Sequence, residues 1–206
     1  FDDSMDVIVD EATEDITKMA AMSPSEKSYF ETSVFAHAKH RIAWLLILMF
    51  SATITGTIIT RYENAFAAIP LLVSFIPMLM DTGGNCGSQS STLIIRGIAL
   101  GEIQFSDLFR VMFKEFRVSL IVGVALALAN GIRILIMYKN AGLALVIGLS
   151  LVATIVISKL IGCVLPLIAK KLHMDPAIMA SPLITTLVDT CSILIYFNIA
   201  TQVFQL

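Results

Sequence analysis

Long apolar runs alternate with short polar breaks along this chain, and the breaks set the architecture. Residues 42–60 are nineteen positions without a charge. That is enough for a helix to cross a hydrocarbon core of about 30 Å at 1.5 Å per residue. Trp44 near the start of the run suits a headgroup anchor. After a polar step at 61–64, a second apolar run, 65–80, passes into the polar, glycine-rich DTGGNCGSQSS and then a short apolar continuation, 93–101. Residues 102–117 carry Arg110, Lys114 and Arg117 at steps of four and three, so they read as an amphipathic helix at the membrane interface. A third span covers 118–137, with Asn130 and Arg133 near its end, and a fourth covers 141–169. The fifth starts at Pro176 or Pro182 and runs to the C-terminus. The pattern predicts an all-α membrane protein with five transmembrane helices per protomer.

Ahead of the first span, Val9, Ala12, Ile16 and Met19 or Ala20 recur at a helical period. Asp6, Asp10, Glu14 and Asp15 occupy the other face. Residues 1–22 therefore predict an amphipathic cytoplasmic helix, ended by Ser23, Pro24 and Ser25. Residues 23–41 form a juxtamembrane approach, with His37 and His40 solvated at the interface, and 42–206 form the membrane domain.

Composition agrees: 57% of residues are hydrophobic and 15% charged. Charge is unevenly placed, with nine acids and four bases up to Arg41 and seven acids and ten bases after it. With five spans, Lys39, Arg41, Arg96, Arg110, Lys114, Arg117, Lys170 and Lys171 fall on one side, against Arg61, Arg133 and Lys139 on the other. The positive-inside rule puts the N-terminus in the cytoplasm and the C-terminus outside. No charged n-region with an apolar core opens the sequence, so a signal peptide is not expected. Cys86, Cys163 and Cys191 are scattered in apolar context and are expected as reduced packing residues. There is no internal repeat of the kind that builds inverted-repeat transporters, and nothing points to nucleic acid.

Two stretches carry candidate chemistry. In 70–96, Asp81, Thr82, Asn85, Ser88, Gln89, Ser90, Ser91 and Thr92 crowd around Gly83, Gly84 and Gly87. One reading is a helix break with close helix packing on small residues. The density of polar groups favours a permeation or binding site, because unsatisfied polar groups in hydrocarbon cost several kcal/mol each. In the fifth span, Ser181 and Pro182 suit an N-cap and first-turn pair. Asp189 lies seven residues further, about 10 Å into the membrane. Ser181, Thr185, Asp189 and Ser192 make one polar stripe with no base on their own helix. A carboxylate at that depth is a functional candidate. The structural alternative is an ion pair between Asp189 and Lys159 of the fourth span, unless Lys159 snorkels to an interface. The donors are carboxylate, hydroxyl, amide and freed carbonyl oxygens, which suit a hard cation such as Mg²⁺. One Asp per chain is thin for a divalent ion; a two-fold axis through the site would supply two. Asp81-Thr82-Gly83 also matches the DTG of aspartic proteases, but its flanks are transmembrane in character and a tripeptide is weak support.

PMLMDTGGNCGSQSSTLIIRGIALGEI, MDPAIMASPLITTLVDTCSILIYF and DVIVDEATEDITKMA together resemble the MgtE magnesium channels and transporters over essentially the whole chain. The resemblance implies a homodimer in a bacterial plasma membrane, with a central Mg²⁺ path lined by the second and fifth spans. It implies Asp189 as the principal ion-binding carboxylate. Thr185, Gly84, Asn85, Ser88 and Thr92 would line the path, Ser181 would lie on the same stripe, and Asp175 would lie near the cytoplasmic mouth. Residues 1–22 would be the family's linking, or plug, helix, and the family's cytosolic N-terminal and CBS modules are not in this sequence. In the family pattern the position of Ser88 is often Asn, and that of Asp81 often a small residue. Mg²⁺ is then the transported ion, moving down its electrochemical gradient, and no enzyme activity is expected. The residues alone leave open a cation- or proton-coupled transporter, or a non-transporting anchor or sensor.

Overall fold

The structure, a computed structural model, describes residues 2–20, 22, 29–179 and 181–205. All regular structure among them is helical. Helix α1 is Asp2–Met19, α2 is Val34–Arg61, and the short α3 is Glu63–Ala68. A 3-10 turn at Pro70–Phe75 leads into α4, Ile76–Ala99. Then come α5 (Leu108–Tyr138), α6 (Ala141–Lys171) and α7 (Ser181–Phe204). Ser23, Pro24 and Ser25 lie outside the described residues.

Four stretches among the described residues are long and apolar enough to cross a membrane: Val34–Arg61, Phe105–Tyr138, Ala141–Lys171 and Pro176–Phe204. α4, with 24 residues, is about 36 Å long. It is long enough to cross but too polar to stand among those four. Two expectations change. First, the DTGGNCGSQSS stretch does not break the helix: α4 runs through it without interruption, so its backbone carbonyls stay in the helix ladder. Second, the amphipathic segment at 102–117 is not a separate interfacial helix. After a 3-10 turn at Phe105–Asp107, α5 continues from Leu108 to Tyr138. Arg110, Lys114 and Arg117 do face outward, while Glu115 turns inward and is buried.

α6 stands at the centre, packed against α4, α5 and α7, and α4 packs against α7 as well. Lys139 in a left-handed conformation ends α5, and the Asn140 side chain caps α6 by accepting from the Leu143 N–H at 2.9 Å. That two-residue link makes α5 and α6 antiparallel neighbours. One apolar cluster holds one end of the bundle, with Leu72, Phe75, Leu79, Ile147, Leu151, Tyr196 and Phe197 fully or nearly buried. There the Tyr196 hydroxyl donates to the Leu72 carbonyl at 2.8 Å, satisfying a carbonyl of the 3-10 turn. A second, smaller cluster around Ile94, Cys163 and Leu167 holds the other end. Between the two clusters the helix seams are small and polar. α2 is nearly bare: Thr55 is its buried residue, tied to Thr190 of α7 by a hydroxyl pair at 2.8 Å.

Candidate functional site

The seam between α4 and α7 is where the sequence-marked residues meet. Glycines set the approach. A Cβ at Gly84 would stand 2.9 Å from Thr185 Cγ2, and one at Gly87 would stand 2.7 Å from Ile184 Cγ2. Small residues allow that spacing and larger ones would not. On the other flank of α4, a Cβ at Gly162 would collide with the Gly87 carbonyl oxygen, so α6 also comes close. α4 is thus wedged between α6 and α7, and its 3.6-residue period sorts its polar residues into two sets.

Asp81, Gly84 and Asn85 line a cavity of about 430 Å³ with Thr185 and Asp189 of α7; Ile76, Pro77 and Met80 complete its wall. Asn85 also borders a second cavity, about 680 Å³, with Ser88, Gln89, Thr92 and Leu93. Asn85 joins the two, and together they form one polar track along α4. Asp189 is partly buried, and Asp81 is exposed to the cavity. Among the described residues, the side chain of neither carboxylate has a hydrogen bond or ion-pair partner. The Thr185 hydroxyl donates to the Pro182 carbonyl at 3.0 Å, which leaves its oxygen able to accept.

The structure therefore brings together Gly84, Asn85, Thr185 and Asp189, and places Ser88 and Thr92 on the adjoining track. It separates others. Ser192 does not share the cavity. It is buried against Gly83, its hydroxyl donating to the Val188 carbonyl at 2.7 Å. Ser181 is the first residue of α7, and its side chain lies outside the described residues. Asp175 lies in the turn before α7. It accepts from the Ala177 N–H at 2.9 Å and from Lys18 of α1 at 2.6 Å. Burial alone would push the Asp175 carboxyl up, but the Lys18 bond, the Ala177 N–H and the Lys170 charge hold it below its ordinary value. α1 docks through this polar contact, while Val9 and Ile16 of its apolar stripe are exposed.

Lys159 does not pair with Asp189 and does not snorkel. It is 5% exposed and turns to the back of α4. There its ammonium donates to the Ser90 hydroxyl at 3.1 Å and lies 3.6 Å from Glu115 Oε2. Ser90 in turn donates to Glu115 at 2.6 Å. Asp189 and Lys159 stand on opposite flanks of α4, which is why the pairing the sequence allowed does not form. Sequence reasoning missed Glu115 because its basic neighbours mark an interface. The available signal was that it shares a helical face with Val111, Val118 and Ser119. The three cysteines are free thiols, as expected.

An all-helical, multi-pass membrane protein with an oxygen-lined, carboxylate-bearing track between two helices is a candidate ion pathway. The sequence comparisons agree with that class. The family model for MgtE, a divalent cation transporter, matches residues 76–199, and the chain belongs to this family. It is 40% identical over 200 residues to the magnesium transporter MgtE of Bacillus subtilis (strain 168), covering 97% of this chain and 44% of that protein. It is 36% identical to the Thermus thermophilus magnesium transporter MgtE with the same coverage. Identity to the Enterococcus faecalis magnesium transporter MgtE is 35%, over 98% of this chain and 44% of that protein. The chain thus spans under half the length of these curated relatives.

Proposed function

We propose that this chain is the membrane-embedded conducting part of a Mg²⁺ transporter in a bacterial plasma membrane. Its five spans are α2, α4, α5, α6 and α7, with the N-terminus in the cytoplasm. Two copies face each other across the α4–α7 track, and hydrated Mg²⁺ passes between them down its electrochemical gradient. The longer protein would carry cytosolic modules ahead of α1. The observation that carries this reading is Asp189 with Asn85, Gly84 and Thr185 around one cavity at membrane depth, the carboxylate lacking a basic partner among the described residues.

The chemistry follows from the ion. Mg²⁺ dehydrates reluctantly and keeps most of its waters, so recognition is by oxygens that accept hydrogen bonds from those waters. Six waters occupy roughly 180 Å³ at about 30 Å³ each, and the cavity of about 430 Å³ accommodates that shell. Asp189 supplies charge, and the Asn85 amide oxygen and the Thr185 hydroxyl oxygen supply neutral acceptors. The second cavity, lined by Ser88, Gln89 and Thr92, continues the same chemistry without a carboxylate, so an ion leaving Asp189 meets weaker sites. Conduction needs binding strong enough to enter and weak enough to leave.

The test is Mg²⁺ uptake into proteoliposomes under an inside-negative potential, for the chain and for Asp189→Ala. We expect uptake to be lost in Asp189→Ala with the protein's elution profile unchanged. Equal uptake in both would remove Asp189 from the pathway and overturn the reading.

A further inference from the structure

Asp81 faces Asp189. α4 and α7 run antiparallel, so each residue gained along one is a residue lost along the other at the same height. Gly84 meets Thr185, Gly83 meets Val188, and Gly87 meets Ile184. Continuing that register one turn from Gly84 puts Asp81 level with Asp189, and both carboxylates line the same cavity. Neither side chain has a hydrogen bond or ion pair among the described residues. Lys159, the base that could have neutralised one of them, is committed to Glu115 on the far side of α4. Each chain therefore presents two formal negative charges to one cavity of about 430 Å³ between membrane helices.

We propose that Asp81 is a second ion-binding and selectivity-determining carboxylate of this cavity, and that the facing pair Asp81 and Asp189 of each protomer matches the charge of one hydrated divalent cation held at that protomer's own wall of the path. This rests on the α4–α7 cavity being the ion pathway and adds a residue to it. The pair distinguishes ions by charge. A hydrated Mg²⁺ neutralises both carboxylates at once, its waters bridging from one to the other, with Asn85 and Thr185 completing the acceptors. A monovalent cation neutralises one and leaves the other without a counter-charge at membrane depth, which is costly. Because the contact runs through the ion's waters, geometry is forgiving and charge is not. Glu should therefore replace Asp81 better than Asn does.

The experiment measures Mg²⁺ uptake, Na⁺ leak and calorimetric Mg²⁺ binding on the chain in proteoliposomes or detergent. The variants are Asp81→Asn, Asp81→Glu and Asp189→Asn, each checked for helicity and elution. Hexaamminecobalt(III), whose ligand shell does not exchange, serves as a blocking probe of hydrated-ion geometry. Loss of an outer-shell partner typically lowers metal affinity on the order of 10- to 100-fold. That is the expected change in Mg²⁺ affinity and in cobalt-complex block for Asp81→Asn, with Mg²⁺-over-Na⁺ discrimination reduced and Asp81→Glu close to the parent. If Asp81→Asn binds and discriminates like the parent while Asp189→Asn loses uptake, the Asp81 proposal is overturned and the pathway stands. If Asp81→Glu fails as badly as Asp81→Asn, shape and not charge is at work and the proposal is again overturned. If neither Asn variant changes uptake or binding, the cavity is not the pathway and both readings fall.

Discussion

α4 carries charge chemistry on two faces, and the two are built on opposite plans. On the α7 side, Asp81 and Asp189 share an open cavity with neutral oxygens and no base. On the α6 side, Glu115, Lys159 and Ser90 form a closed cluster in which every charge has a partner. Glu115 and Lys159 are only 8% and 5% exposed. Membrane-depth charge is costly in either place. In the sealed cluster the protein supplies the counter-charge itself. In the cavity the described residues supply none, and in the proposed function a cation from solution completes the arrangement. An ionisable group at membrane depth is thus informative about transport when it lacks a partner, and about architecture when it has one.

The largest expected effect breaks the sealed side. Glu115→Gln leaves the Lys159 ammonium buried with neutral acceptors and no counter-charge. Removing one partner of a buried pair costs about 3–5 kcal/mol. The thermal midpoint in detergent should fall sharply. Lys159→Met added to Glu115→Gln should recover most of the loss, because replacing both charges by neutral groups of similar volume is often close to neutral. If the cluster is architectural, the double variant also conducts Mg²⁺ like the parent. A double variant that folds but does not conduct would move the cluster into the pathway and erase the contrast.

The open side should behave in the reverse manner. Asp189→Asn removes an uncompensated charge, so it should leave the fold intact and, without Mg²⁺, no less stable. What it should lose is stabilisation by the ion. A ligand that binds only the native state at a hundred times its Kd adds about 2.7 kcal/mol. Chelating Mg²⁺ should therefore lower the midpoint of the parent and not that of Asp81→Asn/Asp189→Asn. An equal response in both would place the stabilising Mg²⁺ elsewhere, for example among the acids of α1.

These two plans were unequally legible from the residues. The α4 track could be read directly, since Asn85, Ser88, Gln89 and Thr92 recur at helical spacing, and Asp189 stood out as a lone acid in an apolar run. The unbroken course of α4 could not be read, because glycine-rich polar stretches break isolated helices. Here the close contacts of Gly84 with Thr185 and of Gly87 with Gly162 hold the helix from outside. The pairing of Lys159 was equally hidden. Its partner lies 44 positions upstream beside three interfacial bases, and which side of α6 the lysine occupies is a fact of packing. Asp81 was legible only as one of the polar groups crowding this stretch and as the head of a weak DTG match. The antiparallel register with α7 is what sets it opposite Asp189.

The smallest expected effect concerns α1, whose contact with the membrane domain is partly exposed and accordingly weak. Lys18 bridges Asp175 at 2.6 Å and Glu14 at 2.5 Å. Pairs of this kind contribute about 0.2–1 kcal/mol. Two carboxyls shift in opposite directions on docking. Asp15 is raised, first by burial and then by the neighbouring Asp175 charge. Its share of the docking is present below its ordinary value and is lost as pH rises through the raised one. Asp175 is lowered: burial pushes it up, but the Lys18 bond, the Ala177 N–H and the Lys18 and Lys170 charges together outweigh that cost. Its share is present above its ordinary value, near 3.9, and is lost as pH falls through the depressed one. Docking of α1 should therefore tighten slightly as pH falls from neutral toward the carboxylate range, then weaken below it. A spin-label distance between α1 and the turn at Pro176–Met179 reports it. Asp175→Asn should weaken docking at neutral pH and flatten the acid limb. Unchanged distances in Asp175→Asn would mean that something other than Lys18 holds α1.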